Sequence, residues 1–416
     1  MARSALEPVI TARPQPRSTP CEVTIVANDI GGVGGMERAI GELIAGLGRL
    51  GHRVTVIART FEAPPLEGVT FHRVRGPRRP ALVAYPWFLL AGSLSVWRWR
   101  RGVVQATGAI LANRVDVIAV HYCHQVGPAN PSRSSWGYRM HARLLAVLNR
   151  ATERLWFRAR DATTFVCVSD GVAQEVERYY PDLAARVMTI HNGVDTVAFA
   201  PGLRVAEAAD LRSRLRVGEG RCVALFVGSE WDGKGLAQVL GALSEAPEWE
   251  LLVAGRGDRA RFDELARSLG VADRVHWLGV VRDVQTLYEL ADTFVLPSEY
   301  ETFSLVTFEA GASGLPILAT PVSGVRELVR DGENGYLITR EPHVIAERLR
   351  GLADDAVLRA RLGAAAREAA TRFTWGEMVT RYHELYERLA RGERDPLAPD
   401  HGAPVGEGAA TEPVGS

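Results

Sequence analysis

A chain that alternates short, β-branched apolar runs with longer amphipathic stretches has few folds open to it, and this one runs through that alternation twice. Glu22–Asn28, Val54–Arg59, Val69–Arg75, Asp116–Val120, Thr163–Ser169 and Val187–His191 read as strands, with helical patterns at Met36–Leu50, Tyr138–Arg160 and Asp170–Tyr180. A polar stretch from about Val197 to Gly220 interrupts the pattern. It restarts with strands at Val223–Val227, Glu250–Ala254, Val275–Leu278, Thr293–Pro297 and Pro316–Thr320, and helices at Lys234–Ser244, Arg259–Leu269, Val284–Ala291 and Ser304–Ser313. Near-continuous apolar runs suit strands buried on both faces, so each series predicts a parallel sheet covered by helices. The expected fold class is α/β, with two doubly wound Rossmann-like domains, 21–197 and 198–374, facing a central cleft. In such domains ligands bind beyond the carboxyl ends of the strands. A helix at 375–389 is expected to return to the domain junction. Residues 1–20 read as a flexible N-terminus, and 392–416, rich in Gly, Pro, Ala and Glu, as a disordered tail.

Composition narrows the partners. Forty-nine basic residues balance forty-nine acidic ones, which leaves no overall basic footprint for nucleic acid. Cys21, Cys123, Cys167 and Cys222 form no CxxC pair, and three lie in or beside apolar runs, as expected of reduced thiols in a cytoplasmic protein. The N-terminus carries Arg and Pro where a secretory signal needs an apolar stretch. Pro80 to Trp97 is uncharged and bracketed by Arg78, Arg79, Arg98, Arg100 and Arg101. Its length approaches a membrane span. Pro86, Gly92 and the strand–helix context favour instead a helix buried in the core, with an aromatic helix resting on a membrane surface as the second reading.

Four segments carry candidate chemistry. Gly31-Gly32-Val33-Gly34-Gly35-Met36-Glu37 follows a strand and opens a helix, where backbone can approach an anion. It breaks the GxGxxG spacing at Glu37, and the next strand ends in Ala58-Arg59 without a ribose-binding acid, which argues against a nicotinamide enzyme. Glu299-Tyr300-Glu301-Thr302-Phe303-Ser304-Leu305 follows another strand, and Glu309 lies eight residues after Glu301. With Thr302 or Ser304 as cap, the amides of Phe303 to Leu305 face the cleft, where a diphosphate fits. Glu309 is then within reach of ribose hydroxyls and Glu301 of a sugar; the competing reading is two solvated glutamates on a surface helix. Lys234, the only lysine in the chain, follows Val227-Gly228-Ser229-Glu230-Trp231-Asp232-Gly233 and places a compact cation where a leaving diphosphate gains charge. Arg256, after the next strand, is a further phosphate contact. His121 and His124 lie at the carboxyl end of Asp116–Val120, and His121, directly at the strand end, is the stronger candidate.

With these residues in place, the chain from about Cys21 to Leu389 resembles the family-four retaining glycosyltransferases of the GT-B fold. The shared landmarks are Gly-Gly-Met-Glu, Asp116-Val117-Ile118 before His121, Phe165-Val166-Cys167-Val168-Ser169, His191-Asn192-Gly193-Val194-Asp195, Gly233-Lys234-Gly235, Glu301 with Glu309, and Phe373-Thr374-Trp375. The resemblance implies that Glu309 holds the ribose, Lys234 the diphosphate, and Glu301, Thr302, Phe303, Ser304 and Leu305 the donor sugar and phosphate. It places His121 near the reacting face, Gly35 on the acceptor side, Val284 by the base and Asn192–Asp195 at the hinge. Gly228-Ser229 departs from the Gly-Arg of many relatives, so Ser229 lacks a charge that Lys234 and Arg256 must supply.

The expectation is a retaining, metal-independent hexosyltransferase in glycan or polysaccharide biosynthesis, with no cofactor and no bound metal. Its donor is a nucleotide-diphosphate sugar (UDP-sugar first, GDP-mannose next), and its acceptor a hydroxyl of a glycan, glycolipid or small molecule. It is expected in the cytoplasm, touching the membrane's inner face as a peripheral protein. The alternatives are a sugar-nucleotide epimerase or phosphorylase on the same fold, or a nucleotide-binding scaffold without catalysis.

Overall fold

The computed structural model describes residues 20–31, 34–63, 65–126, 136–157 and 163–393, with side chains from 140 onward in the fourth segment. The expected flexible N-terminus, apart from residue 20, lies outside them; so do 394–416 of the expected tail and residues 127–135.

Two parallel sheets form the framework. The first runs Val69–Arg73, Arg53–Ala58, Glu22–Val26, Val103–Thr107, Val117–Val120, Thr164–Cys167 and Val187–Thr189 across its width. The second runs Val275–Gly279, Trp249–Ala254, Cys222–Val227, Thr293–Leu296, Ile317–Ala319 and Gly335–Leu337. In each, the chain winds outward one way and then back past its first strand, leaving a crevice where the order reverses. Central strands are apolar on both faces because helices cover both: Val23, Ile25, Val223, Leu225 and Phe226 are fully buried.

The last helix, Trp375–Ala390, is capped by Thr374, whose hydroxyl accepts from the Glu377 amide at 3.0 Å. It leaves the second half and packs Met378, Val379, Tyr382, Leu385 and Tyr386 against Ile40, Ile44 and Leu47 of the first. At the crossing, the Val194 amide donates to the Phe373 carbonyl at 2.8 Å. Gly193 is required there, because a Cβ would lie 2.2 Å from the Trp375 nitrogen.

Several elements escape the sequence pattern. Val103–Thr107 is a central strand that holds a buried glutamine, Gln105, satisfied at 2.6 Å by the Tyr386 hydroxyl from the returning helix. That partner is 281 residues away, so nothing local marks the strand. The polar stretch before the second half contains a helix, Val205–Leu215, and two more helices, Pro342–Asp354 and Ala356–Ala370, pack after the second sheet.

The uncharged segment corrects the reading of a core helix. Ala81–Trp99 is helical, but only Ala84, Phe88, Gly92 and Val96 are buried, a single stripe. Val83, Trp87, Leu90, Leu94 and Trp97 face outward. No helix among the described residues is long and apolar enough to cross a membrane.

Candidate active site

Between the two sheets lies a cleft of about 810 Å³, and its walls are loops that leave the carboxyl ends of strands. All the candidates but His124 reach it: Gly35 and His121 from the first half; Gly228, Ser229, Lys234, Arg256, Val284, Glu301, Thr302, Phe303, Ser304, Leu305 and Glu309 from the second. His124 does not; it sits one loop away, its amide bonded to Glu153 at 2.8 Å. Arg38, Tyr122, Val280 and Val281 also line the cleft and were not singled out in the sequence, and Met36 and Asn192, known there only as landmarks, line it too.

Backbone geometry builds the phosphate-sized side. Ser304 takes a left-handed φ of 65° at the head of the helix Leu305–Ala312. Its hydroxyl meets Thr307 Oγ1 at 2.8 Å instead of capping an amide, which corrects the expected side-chain cap. Among the described residues, the amides of Phe303, Ser304 and Leu305 donate no hydrogen bond, so three donors at a helix N-terminus are left to the cleft. Gly255 (φ 121°) lets its loop lie against the Gly228 loop, where a Cβ would come within 1.8 Å of the Gly228 carbonyl oxygen.

Two carboxylates are held by cations. Lys234 closes the short helix Trp231–Lys234, not the start of the next one as its sequence position suggested, because Gly235 turns the chain at φ 82°. Its Nζ donates to Glu301 Oε1 at 2.5 Å, and the Ser298 hydroxyl donates to the same oxygen at 2.7 Å. Glu309 is buried; Arg38 Nη1 reaches Oε1 from the opposite half at 2.7 Å and the Tyr288 hydroxyl donates to Oε2 at 3.0 Å. Burial pushes the Glu309 carboxyl above the usual range, and Arg38 and Tyr288 pull against that rise. Glu301 Oε2 and one lone pair on each Glu309 oxygen keep capacity for a ligand hydroxyl.

His121 follows the strand Val117–Val120, and burial pulls its imidazole down to about 4. It is therefore neutral at physiological pH and able to accept a hydroxyl hydrogen bond. Beside it, Tyr122 stacks edge-on against Tyr300 of the other half at 5.5 Å, and the Tyr300 hydroxyl bonds Glu175 at 3.0 Å.

Residues 208–369 match the model of the group 1 glycosyl transferases, and 33–197 match glycosyltransferase family 4. The D-inositol 3-phosphate glycosyltransferase of Thermobifida fusca is 30% identical over 392 residues, spanning 84% of this chain and 87% of that one. The chain is a family 4 glycosyltransferase of group 1. Its GT-B fold is shared with sucrose-phosphate synthase from Thermosynechococcus elongatus (TM-score 0.74, 20% identity, 89% of this chain and 100% of that one). It is shared equally with HepE from Anabaena in complex with UDP and glucose (TM-score 0.67, 19% identity, 88% and 99% covered). Membership makes this glycosyltransferase an enzyme that moves a glycosyl group from a nucleotide sugar.

Away from the cleft lining, at the junction of the halves, Asp170, His191 and Glu327 bring their ligand atoms within 4.8 Å of one another. Glu327 Oε1 accepts from the Asp170 amide at 3.0 Å and Oε2 lies 2.7 Å from His191 Nε2, so the group ties the hinge turn to the second half.

Proposed function

We propose that this glycosyltransferase retains the anomeric configuration, needs no metal, and transfers a hexose from a UDP-sugar to a hydroxyl of a glycan, glycolipid or small molecule. The observation that carries the reading is the convergence on one cleft of three free amides, Lys234 and the Glu309 carboxylate. Glu309 receives the ribose diol, Val280, Val281 and Val284 flank the base, and the Phe303–Leu305 amides hold the diphosphate. Glu301, aligned by Lys234 and Ser298, faces the sugar. The acceptor oxygen bonds to the anomeric carbon on the face from which the diphosphate leaves. The bond from that carbon to the diphosphate oxygen breaks, and the hydroxyl proton departs on the nucleoside diphosphate. Lys234, Arg256 and the amides stabilise the charge gathering on the leaving group, which offsets the missing arginine at Ser229. Closure of 21–197 on 198–374 excludes water from the donor. HepE binding UDP supports UDP as the first donor to test, with GDP-mannose second.

Membrane contact is the second part of the reading. Val83, Trp87, Leu90, Leu94 and Trp97 form one exposed stripe at helical spacing, and Leu144, Val147 and Leu155 of the neighbouring helix Trp136–Phe157 are exposed as well. Arg78, Arg79, Arg98, Arg100 and Arg101 flank the stripe, as an interfacial helix on an anionic leaflet requires.

The test is thermal unfolding with UDP, GDP, ADP, dTDP and CDP, with and without EDTA, beside Lys234→Ala. A nucleotide at a hundred times its dissociation constant stabilises the fold by about 2.7 kcal/mol. A shift with one nucleotide, undiminished by EDTA and reduced in the variant, supports the donor site. The absence of any shift moves the non-catalytic scaffold ahead. NMR of the product then reads the anomeric configuration, and turnover of the nucleotide sugar without an acceptor would point to the epimerase.

A further inference from the structure

The helix Trp136–Phe157 carries a buried acid to which the transfer described above gives no role: Glu153, which is 1% exposed. Burial raises its carboxyl, and hydrogen bonds from His124, Tyr180 and Gln125 pull against that rise. A carboxylate is tolerated in a protein interior only where donors fill its lone pairs, and an apolar side chain of similar volume is often as good or better there. The donors that Glu153 receives therefore tell what it holds.

Three of them are consecutive residues. The Cys123 thiol lies 3.8 Å from Oε1, the His124 amide donates to Oε2 at 2.8 Å, and Gln125 bonds the same carboxylate through backbone and side chain. The Tyr180 hydroxyl donates to Oε1 at 2.9 Å from the far side. One turn earlier on the helix, Arg150 Nε donates to the His124 carbonyl at 3.1 Å, and Gln125 Nε2 donates to the Arg150 carbonyl at 3.2 Å. One helix face thus takes both backbone groups of His124. Directly before this turn stand His121 and Tyr122, which line the donor cleft. The strand Val117–Val120 stops one residue short of His121. The strand is one anchor of that pair, and the clamp on 123–125 is the other.

We propose that Glu153 is a positioning residue for the transfer: by holding the Cys123–Gln125 turn, it sets His121 and Tyr122 against the donor sugar. The assignment rests on the donor reading above, which takes His121 as the group at the reacting face. Glu153 is not among the residues lining the cleft and acts through the turn. Its carboxylate gives fixed partners to polar groups that a loop leaving a strand end would otherwise pair with water.

The test is Glu153→Gln, which keeps the shape of the side chain but turns one acceptor into a donor. Either the His124 amide or the Tyr180 hydroxyl then loses its partner. Phe157→Leu, one turn further along the helix, loosens the ring packing on Phe165 and Tyr180 and is the control for lost stability alone. The readout is the imidazole carbon resonance of His121, assigned by its loss in His121→Asn and expected to titrate at about 4 in the wild type. A loosened turn admits water, so in Glu153→Gln that midpoint should rise toward 6.5, at least about tenfold in proton affinity. Burial is what lowers His121, so losing the Glu153 charge does not itself move the midpoint. Arg150→Gln, at a half-buried position, frees the His124 carbonyl and should move it the same way, which keeps the test open if Glu153→Gln does not fold. UDP affinity, measured by calorimetry, should be unchanged in both variants, because the groups that hold the diphosphate belong to the second half. With the nucleotide sugar, kcat should fall at least about tenfold at unchanged donor KM. A His121 midpoint unmoved in both variants, or moved equally by Phe157→Leu, overturns the proposal and leaves Glu153 a structural acid. Absence of nucleotide binding in the wild type would refute the donor reading instead, and the His121 titration is read independently of it.

Discussion

Arg38 and Glu309 join the two halves of the enzyme: the guanidinium on the helix Gly35–Arg49 lies 2.7 Å from the carboxylate on the helix Leu305–Ala312. Arg38 is part-exposed, whereas Glu309 is buried, so the pair chiefly opposes the rise that burial imposes on the carboxyl. Removing Arg38 deletes the largest influence lowering the Glu309 pKa. Arg38→Gln is expected to weaken nucleotide binding by about 10- to 100-fold, less than the about 3–5 kcal/mol for breaking a fully buried pair because Arg38 is part-exposed. The acid limb of kcat/KM should move to higher pH, since Glu309 then ionises later. Arg38→Lys should restore part of both. An unmoved pH profile would show that the pair only fastens the halves.

The glycines of the second half should divide sharply. Gly324 (φ 79°) packs so closely that a Cβ would lie 1.9 Å from the Phe303 carbonyl oxygen, and Gly255 is as tight against Gly228. Gly255→Ala or Gly324→Ala should cost about 3 kcal/mol or more in denaturant unfolding. Gly233 has open space around its Cβ position, so Gly233→Ala should stay within about 0.5 kcal/mol.

His121 and His124 are both drawn from 6.5 to about 4 by burial, with Arg150 adding to the effect at His124. Between those values the unfolded chain binds protons that the folded chain refuses, so stability is full above pH 6.5 and falls as pH drops toward 4. His121→Asn should flatten that fall in urea titrations at pH 4–7. An imidazole carbon resonance titrating near 6.5 in the folded protein would contradict the burial.

The exposed stripe gives a surface prediction. Leu94→Ser with Trp97→Ser removes two side chains that are 68% and 75% exposed, so unfolding should change little. Sedimentation with vesicles of phosphatidylglycerol in phosphatidylcholine should weaken at least about 100-fold, given about 1.5–3 kcal/mol per large apolar side chain. Equal sedimentation of variant and wild type would remove the membrane from the reading.

The sequence alone determined the two parallel sheets, because uninterrupted apolar strands and crossover-length helices leave little else, and it determined the residues at the strand ends. Those ends are where doubly wound sheets place ligands, so Lys234, Glu301, Glu309 and His121 could be named from spacing and all line one cleft. Only the tertiary structure decided what long-range partners settle. Gln105 is tolerated in a central strand because Tyr386 returns to it, and the uncharged helix faces outward because one stripe of it suffices for the core. Arg38 is a charged residue in the first turn of an ordinary amphipathic helix until the other half brings Glu309 to it. Local pattern fixes which face of an element is apolar; contacts hundreds of residues apart, formed only when the halves meet, fix which polar groups are satisfied and which are left for a ligand.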